Sequence, residues 1–494
     1  MNLKKAIRIA CFMIVLCVLM NSIGEVFQDK WASLSNTYAR IKQFYREKTP
    51  PEVVFIGSSH IHYNLNPLVM FREFGFDSYD FSSPSQDFSA SKLYVEEAIK
   101  TYSPKVIAID VLNLMFFENN EVRHRQALDQ IPLSLDKIKN IRYTFKRNEE
   151  LGLEIEFDSW LSYIFPIMRY HDRWEGLTAS DLSWDPNGPN YHGAVHYHGY
   201  GPHYAVVQAD LGHYDDPVNY NERVLEENRK LLSEIAALCE KKGVELLLIK
   251  TPSPAWRRSS HDLVASWADE LGIPFLDINE RAGELDIDAA TDYMDTSHHL
   301  NDSGVTKTSL YLGEYLKNTY ALEDHRDDPA YAFWNEDWQV YQQDRASYSL
   351  ARETDWSEYV QRLQNPNYTI YIAARDNLGG ASHPELTALF KEIGLSADLE
   401  GKDHWGYMAI INGGEVIFEQ LSKDALAYED NINGHHIVLV SEGYTQGNRA
   451  SIQLDYSERF VNHRGIGIVV YDNVLDSVVD CVTFDLHDVG SAYR

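Results

Sequence analysis

Hydrophobic and polar positions along this chain fall into blocks whose order predicts its elements. Val53 to Ile56 is an unbroken apolar run closed by Gly57, as expected of a strand buried on both faces. Further strands are predicted at Ser78 to Phe81, Lys105 to Val111, Val244 to Ile249 and Ile273 to Ile278. Between them lie helix patterns over Pro67 to Phe74, Ser89 to Thr101 and Asn221 to Lys242, with Gly304 to Tyr320 closing the series. The long middle helix carries Val224, Leu231, Leu232, Ile235 and Leu238 near helical spacing, and Gly243 ends it. Such alternation predicts a three-layer α/β fold around a parallel sheet, with ligands bound beyond the C-terminal strand ends.

Three stretches break the alternation. Residues 1–24 hold Lys4, Lys5 and Arg8 followed by an apolar run from Ile9 to Met20, which reads as an uncleaved signal anchor with its basic end in the cytoplasm. Residues 25–49 are polar and helix-prone and read as a stalk. An insertion at 118–215 reads as a lid, because structureless loops of that length are uncommon. From 321 to 365 a charged and aromatic segment with Trp334, Trp338 and Trp356 reads as a helical connector packed on the first domain. A β-rich α+β domain is expected over 366–494. Its predicted strands are Tyr368 to Ala373, His404 to Ile411, Glu415 to Phe418, His436 to Ser441, Ser451 to Leu454, Gly467 to Tyr471 and Val478 to Phe484, with one helix at Pro384 to Ile393.

The length of 494 residues suits two folded domains plus a membrane element. Only Cys239 and Cys481 lie outside the anchor, so no disulfide framework is expected. The formal net charge of −30 argues against nucleic acid as a partner and disfavours a bare polyphosphate acceptor. A neutral glycan or an activated acyl donor is easier to accommodate.

The candidate chemistry sits at the end of the first strand. Gly57 permits a sharp turn that exposes Ser59, and far downstream Asp295 is followed by His298, His299 and Asn301. A serine attacks an acyl carbon when an imidazole takes its proton and a carboxylate fixes the imidazole tautomer, and these residues supply all three groups. Spacing leaves the base open between His298 and His299. The Ser59 N–H is one oxyanion donor, and the backbone of Ser83 to Ser85 and the Asn113 side chain are candidates for the rest. In the insertion, Arg169, His171 and Arg173 stand among aromatics, a mix suited to a sugar cleft or to packing on the core; Lys250, just past the fourth strand, should face the site rim. The histidines 192, 196, 198, 203 and 213 lack a regular ligand spacing with cysteine or carboxylate and read as a hydrogen-bonding loop near the site; no metal or cofactor is expected.

The Gly57 and Ser59 turn, joined to Asp295 and its histidines before the last helix, resembles the SGNH (GDSL-like) hydrolase superfamily. The Lys250, Thr251, Pro252, Ser253 stretch resembles its extracytoplasmic branch, which includes DltD-like and alginate O-acetylation proteins. On that resemblance Ser59 is the nucleophile, and the family spacing that ends at Gly304 favours His299, whereas a literal Asp-x-x-His match favours His298. The segment Phe81 to Gln86 departs from the family by lacking glycine. The stretches Ala374 to Asp376, Leu395 to Asp398, Asp403 to Gly406 and Arg464 to Val470 resemble an interleukin-like EMT-inducer (PANDER-like) module, in a different order. Together the resemblances imply an anchored, extracytoplasmic serine esterase or O-acyltransferase working on acyl esters of a cell-surface polysaccharide or teichoic acid. For transfer they also imply a multi-spanning membrane acyltransferase as partner. The competing expectation is a catalytically inactive glycan-binding scaffold.

Overall fold

The computed structural model describes residues 3–494 apart from 29, 31–36, 119, 154–158, 183–194, 380–382 and 489. The chain divides into two compact units, Met1–Trp338 and Gln339–Arg494.

The first unit is built on a parallel sheet of β1 (Val53–Gly57), β2 (Ser78–Ser82), β3 (Val106–Asp110), β4 (Glu245–Lys250) and β5 (Phe275–Asp277), in the order β2-β1-β3-β4-β5. Every residue of β1, β2 and β3 is buried. The two-residue side-chain period explains why apolar runs do not alternate with polar residues here, since each face meets its own core. Val54, Ile56, Ile107 and Ile109 join the helices Phe88–Thr101, Glu222–Lys242 and Arg258–Leu271 on one side. Val53, Phe55, Val106 and Ala108 meet Pro67–Phe74 and Asp302–Thr319 on the other. The expected α/β three-layer architecture is therefore present.

One expectation about the first unit needs correction. Residues 37–49 are not a stalk: the helix Thr37–Phe44 is core, with Ile41 and Phe44 buried and the Phe44 ring stacked on Phe81 at 3.8 Å. The insertion holds the helices Glu121–Leu128, Leu135–Leu151, Trp160–Ile164, Ile167–Tyr170 and Ala179–Leu182, with a 3-10 turn at His171–Gly176.

The second unit is β-rich. A six-stranded antiparallel sheet contains β6 (Tyr368–Arg375), β7 (Gly406–Asn412) and β8 (Glu415–Ser422), and a second sheet contains β9 (Leu426–Ile432), β10 (His435–Ser441), β11 (Ala450–Leu454) and β12 (Ser457–Glu458). The chain then returns to the first of these sheets as β13 (Gly465–Asp472), β14 (Ser477–Asp485) and β15 (Ser491–Tyr493). Met408 and Ile410 pack on Ile437 and Leu439 of the second sheet, while Ile370 and Ile372 pack beside Trp356, Tyr359 and Phe390 on the opposite face. The later part of the expected connector thus belongs to this unit's own core, with Trp356 and Tyr359 buried in it.

Candidate active site

The sheet order places a topological switch between β1 and β3, where the chain leaves β1 first to one side and then to the other. Ser59 stands at the C-terminal end of β1 and opens the one-turn helix Ser59–His62, capped by the Ser58 side chain. Gly57 is required by close approach: a Cβ there would lie 2.9 Å from the Ile61 side chain and 3.0 Å from Asp110 Cβ. The turn that exposes the serine could not close around a larger residue.

The second part of the site is a loop pinched by a single bridge between Tyr293 and Leu300. Asn301 caps the helix Asp302–Thr319 through the N–H groups of Ser303 and Gly304, and its own N–H donates to Asp292 O at 2.9 Å. Gly304 lets the helix start against that loop, since a Cβ would fall 2.5 Å from Asp292 O. Asn64 ties the loop to the serine turn, accepting from the Leu300 N–H at 3.0 Å and donating to Thr251 Oγ1 at 3.0 Å. The tip of the pinched loop carries Asp295 to His299.

The consequence is a hydrogen-bonded chain. Ser59 Oγ lies 2.8 Å from His299 Nε2, and His299 Nδ1 lies 2.5 Å from Asp295 Oδ2. Because Nδ1 faces a carboxylate it carries the ring proton, which leaves the Nε2 lone pair toward the serine. The other oxygen, Asp295 Oδ1, accepts the N–H groups of Ser297, His298 and His299 at 2.9, 2.6 and 3.2 Å. Burial would raise the Asp295 carboxyl, but the hydrogen bonds from His299 and from the backbone of residues 297 and 298 outweigh it and hold the group well below the usual carboxylate range. It is His299 that the structure brings between Ser59 and Asp295, whereas His298 is exposed, its ring centre 5.7 Å from that of His299.

The candidate oxyanion donors are arranged unequally. The Ser59 N–H lies in the first turn of its helix and has no intrahelical acceptor. The Ser83 N–H donates to Gln86 Oε1 at 3.1 Å, and the Asn113 amide donates to the Gln86 carbonyl, so both are engaged within the turn after β2. That turn places Ser85 at φ 48°, the left-handed conformation usually left to glycine, so a block without glycine still adopts a glycine-like backbone.

Beneath the serine lies a buried trio that sequence reasoning missed. Lys250 is fully buried; its ammonium donates to His60 Nδ1 at 2.8 Å and to Thr251 O at 2.7 Å, with Asp110 at 3.5 Å. The expectation that Lys250 faces substrate at the rim is therefore corrected, because its donors are spent inside. Burial pushes the Lys250 ammonium down and the Asp110 carboxyl up, and in both the other's charge opposes the shift. His60 is pushed well below its ordinary value by burial and by the neighbouring Lys250 charge, which keeps it neutral with its proton on Nε2. Its ring packs edge-on against His299 at 5.2 Å, and Tyr63 does the same at 5.3 Å. The only signal for His60 in the sequence was its place beside Ser59.

The insertion residues go elsewhere. Arg173 donates to the carbonyls of Phe27 and Gln28 at 2.7 and 2.6 Å, at the end of the N-terminal helix. Arg169 lines a cavity of about 210 Å³ with Tyr38, Val122, Arg125 and Tyr170, a lining that includes none of Ser59, Asp295 and His299. His171 pairs with Asp172 in solvent at 2.9 Å. The expected sugar cleft from these three residues is not formed at the serine. Of the histidine group, His196 and His198 bond Asp337, His213 bonds Asp210 and Asp216, and His203 packs on Tyr63 beside the site at 5.3 Å. His192 lies outside the described residues.

No protein-family model matches the chain, and no curated protein matches it. Among solved structures it is similar to a Bacteroides fragilis protein described provisionally as an acylhydrolase, at 12% identity over 59% of this chain and 99% of that one, with a TM-score of 0.29. It is also similar to a GDSL-like lipase from Bacteroides thetaiotaomicron, at 12% identity over 57% of this chain and 100% of that one, with a TM-score of 0.28.

Proposed function

We propose that this chain is a membrane-anchored, outward-facing serine esterase or O-acyltransferase acting on ester-linked acyl groups of a cell-surface polysaccharide or teichoic acid. The observation that carries the reading is the chain from Ser59 Oγ through His299 to Asp295, at 2.8 and 2.5 Å. In the first half-reaction Ser59 Oγ bonds to the acyl carbon as its proton passes to His299 Nε2. The tetrahedral oxyanion collapses, the carbon–oxygen bond of the ester breaks, and His299 returns the proton to the leaving alcohol. Water or a sugar hydroxyl then attacks the acyl-serine, with His299 again as base, and the acceptor decides between hydrolysis and transfer. Asp295 stays ionised throughout and steadies the imidazolium. The Ser59 N–H serves the oxyanion, and a second donor would come from the left-handed turn at Ser85.

The proposed membrane anchor is the helix Leu3–Phe27, which is long and apolar enough to cross a bilayer. Lys4, Lys5 and Arg8 at its start favour a cytoplasmic N-terminus and an exported serine unit. The resemblance noted for the second unit supports docking on glycan, and that of the first supports a multi-spanning acyltransferase as donor.

One observation favours a second reading. With the Ser83 N–H and the Asn113 amide both held by Gln86, a scaffold that retains the serine without strong oxyanion stabilisation is the alternative. A fluorophosphonate probe separates the two. An enzyme is labelled at Ser59, and Ser59→Ala abolishes the label; a full-length protein that stays unlabelled is the scaffold.

A further inference from the structure

We infer that the short helices Ile167–Tyr170 and Ala179–Leu182, with the turn His171–Gly176 between them, form a collar that seats the first unit in the interfacial zone of the bilayer. The inference rests on the reading that Leu3–Phe27 spans the membrane, and it goes further by naming a second membrane-contacting surface.

The helix Leu3–Phe27 is free at its apolar middle and held at its C-terminal end. No residue of its most apolar stretch is buried, as a lipid-facing span requires. Its last turns, by contrast, are fastened to the insertion. Asn21 donates to Ile164 O at 3.3 Å, and Gly24 approaches so closely that a Cβ would stand 3.1 Å from Pro166 Cδ. Arg173 caps the carbonyls of Phe27 and Gln28. Lys30, itself buried, donates to the carbonyls of Glu25 and Val26 at 2.9 and 3.2 Å and to Asp181 O at 2.9 Å. Asp181 also accepts from Arg173 at 3.1 Å, which closes the ring of contacts. Two cations held by the collar thus satisfy the orphan carbonyls at the end of the span.

A fixed exit sets the height of the collar. Ile23 is still 49% exposed and apolar, and four residues at 1.5 Å each put Phe27 about 6 Å further along the axis. The polar layer on each side of the hydrocarbon is roughly 5 to 8 Å deep, so helices packed on the last turns stand within it. Those helices carry the side chains such a layer favours. Met168 is 47% exposed, Trp174 66% and Leu182 74%, one from each of the three elements. Exposed tryptophan beside a span belongs to the aromatic belts that anchor proteins at this level. The same medium that covers the apolar helix covers these side chains, because both belong to one hydrogen-bonded junction.

The test places a nitroxide label on single cysteines of the full-length protein in phosphatidylcholine vesicles. The background replaces Cys11, Cys17 and Cys481 by alanine; Cys239 is 1% exposed and does not react. Labels go on Trp174→Cys, Phe12→Cys and Leu310→Cys, the last on the helix Asp302–Thr319, away from the junction. Collisions with a water-soluble nickel complex should be reduced at position 174 roughly threefold or more relative to position 310, with oxygen collisions raised. Position 12 should read as deep hydrocarbon. A deep label at 12 with a water-like label at 174 overturns the collar and leaves the span standing. Water-like labels at both positions overturn the span and the collar together. Labels on exposed side chains leave packing intact, and a matching melting temperature for each variant confirms it.

Discussion

Replacing Asp295 by asparagine tests the site through its tautomer. Asp295 Oδ1 faces three backbone N–H donors, at 2.9, 2.6 and 3.2 Å, and Oδ2 faces His299 Nδ1. An asparagine must choose which position its NH2 takes. Turned toward the backbone it would set donor against donor and leave N–H groups unpaired, at about 1 to 3 kcal/mol each. The amide oxygen therefore keeps the Oδ1 position, and the NH2 turns to His299. Nδ1 must then accept, its proton moves to Nε2, and at 2.8 Å from Ser59 Oγ an Nε2–H can donate but cannot take the serine proton. Loss of the base through the wrong tautomer costs about 10⁴ in rate, or about 5.5 kcal/mol at 1.36 kcal/mol per decade. The three backbone hydrogen bonds survive and the fourth is kept with its direction reversed, so stability should change little. The assay is the rate of Ser59 phosphonylation by a fluorophosphonate and of aryl acetate hydrolysis, with a thermal melt in parallel and the imidazole nitrogen resonances reporting the tautomer. If Asp295→Asn reacts within about tenfold of the parent, Asp295 does not orient the base and the reasoning fails.

Three further outcomes follow from the same structure. His299→Ala should lower aryl acetate hydrolysis by about 10³-fold or more while His298→Ala keeps most activity, and the reverse pattern in the same assay would reassign the base. Lys250→Met removes the buried partner of Asp110 and His60 and should cost about 3 kcal/mol in a urea titration, less if Asp110 takes up a proton; no loss at all would mean the trio is not coupled. His198, buried between Glu47 and Asp337 and stacked on Trp334, would be lowered by burial but is pushed up to about 10 by those carboxylates. Its folded value is raised, so its stabilisation is fully present below its unfolded value of about 6.5 and is lost as pH rises through about 10, at no more than about 1.4 kcal/mol per pH unit. Melting temperature should therefore fall between pH 8 and 10, and His198→Gln should flatten that fall; an unchanged slope would show that His198 does not titrate there.

What the sequence made legible and what it hid divide along the range of the interactions. The strands β1, β3 and β4 were readable because burial on both faces writes a continuous apolar run, and the helix Glu222–Lys242 because its apolar residues keep helical spacing. Ser59 was readable because a turn off a strand needs Gly57 next to it. The histidine was not, because His298 and His299 are neighbours in a loop, and the Tyr293 to Leu300 bridge that chooses between them is a tertiary fact. The larger misses are polar residues with distant partners. Thr37, Arg40 and Gln43 made a core helix look like a stalk, yet all three are buried, and Tyr79 reaches the Arg40 carbonyl through its hydroxyl at 2.6 Å. Lys250 looked like a rim residue because lysine at a strand end normally reaches water, but Asp110 and His60, far away in sequence, make its burial tolerable. Arg173 looked like a sugar ligand, and its partners are Asp181 and backbone carbonyls at the end of a helix about 145 residues earlier in the chain. Apolar residues declare their environment by type alone, whereas a buried charge is legible only once its partner is in place. That is why the fold could be read from composition and spacing, and why the residues that set the site's electrostatics and hold the end of the N-terminal helix could not.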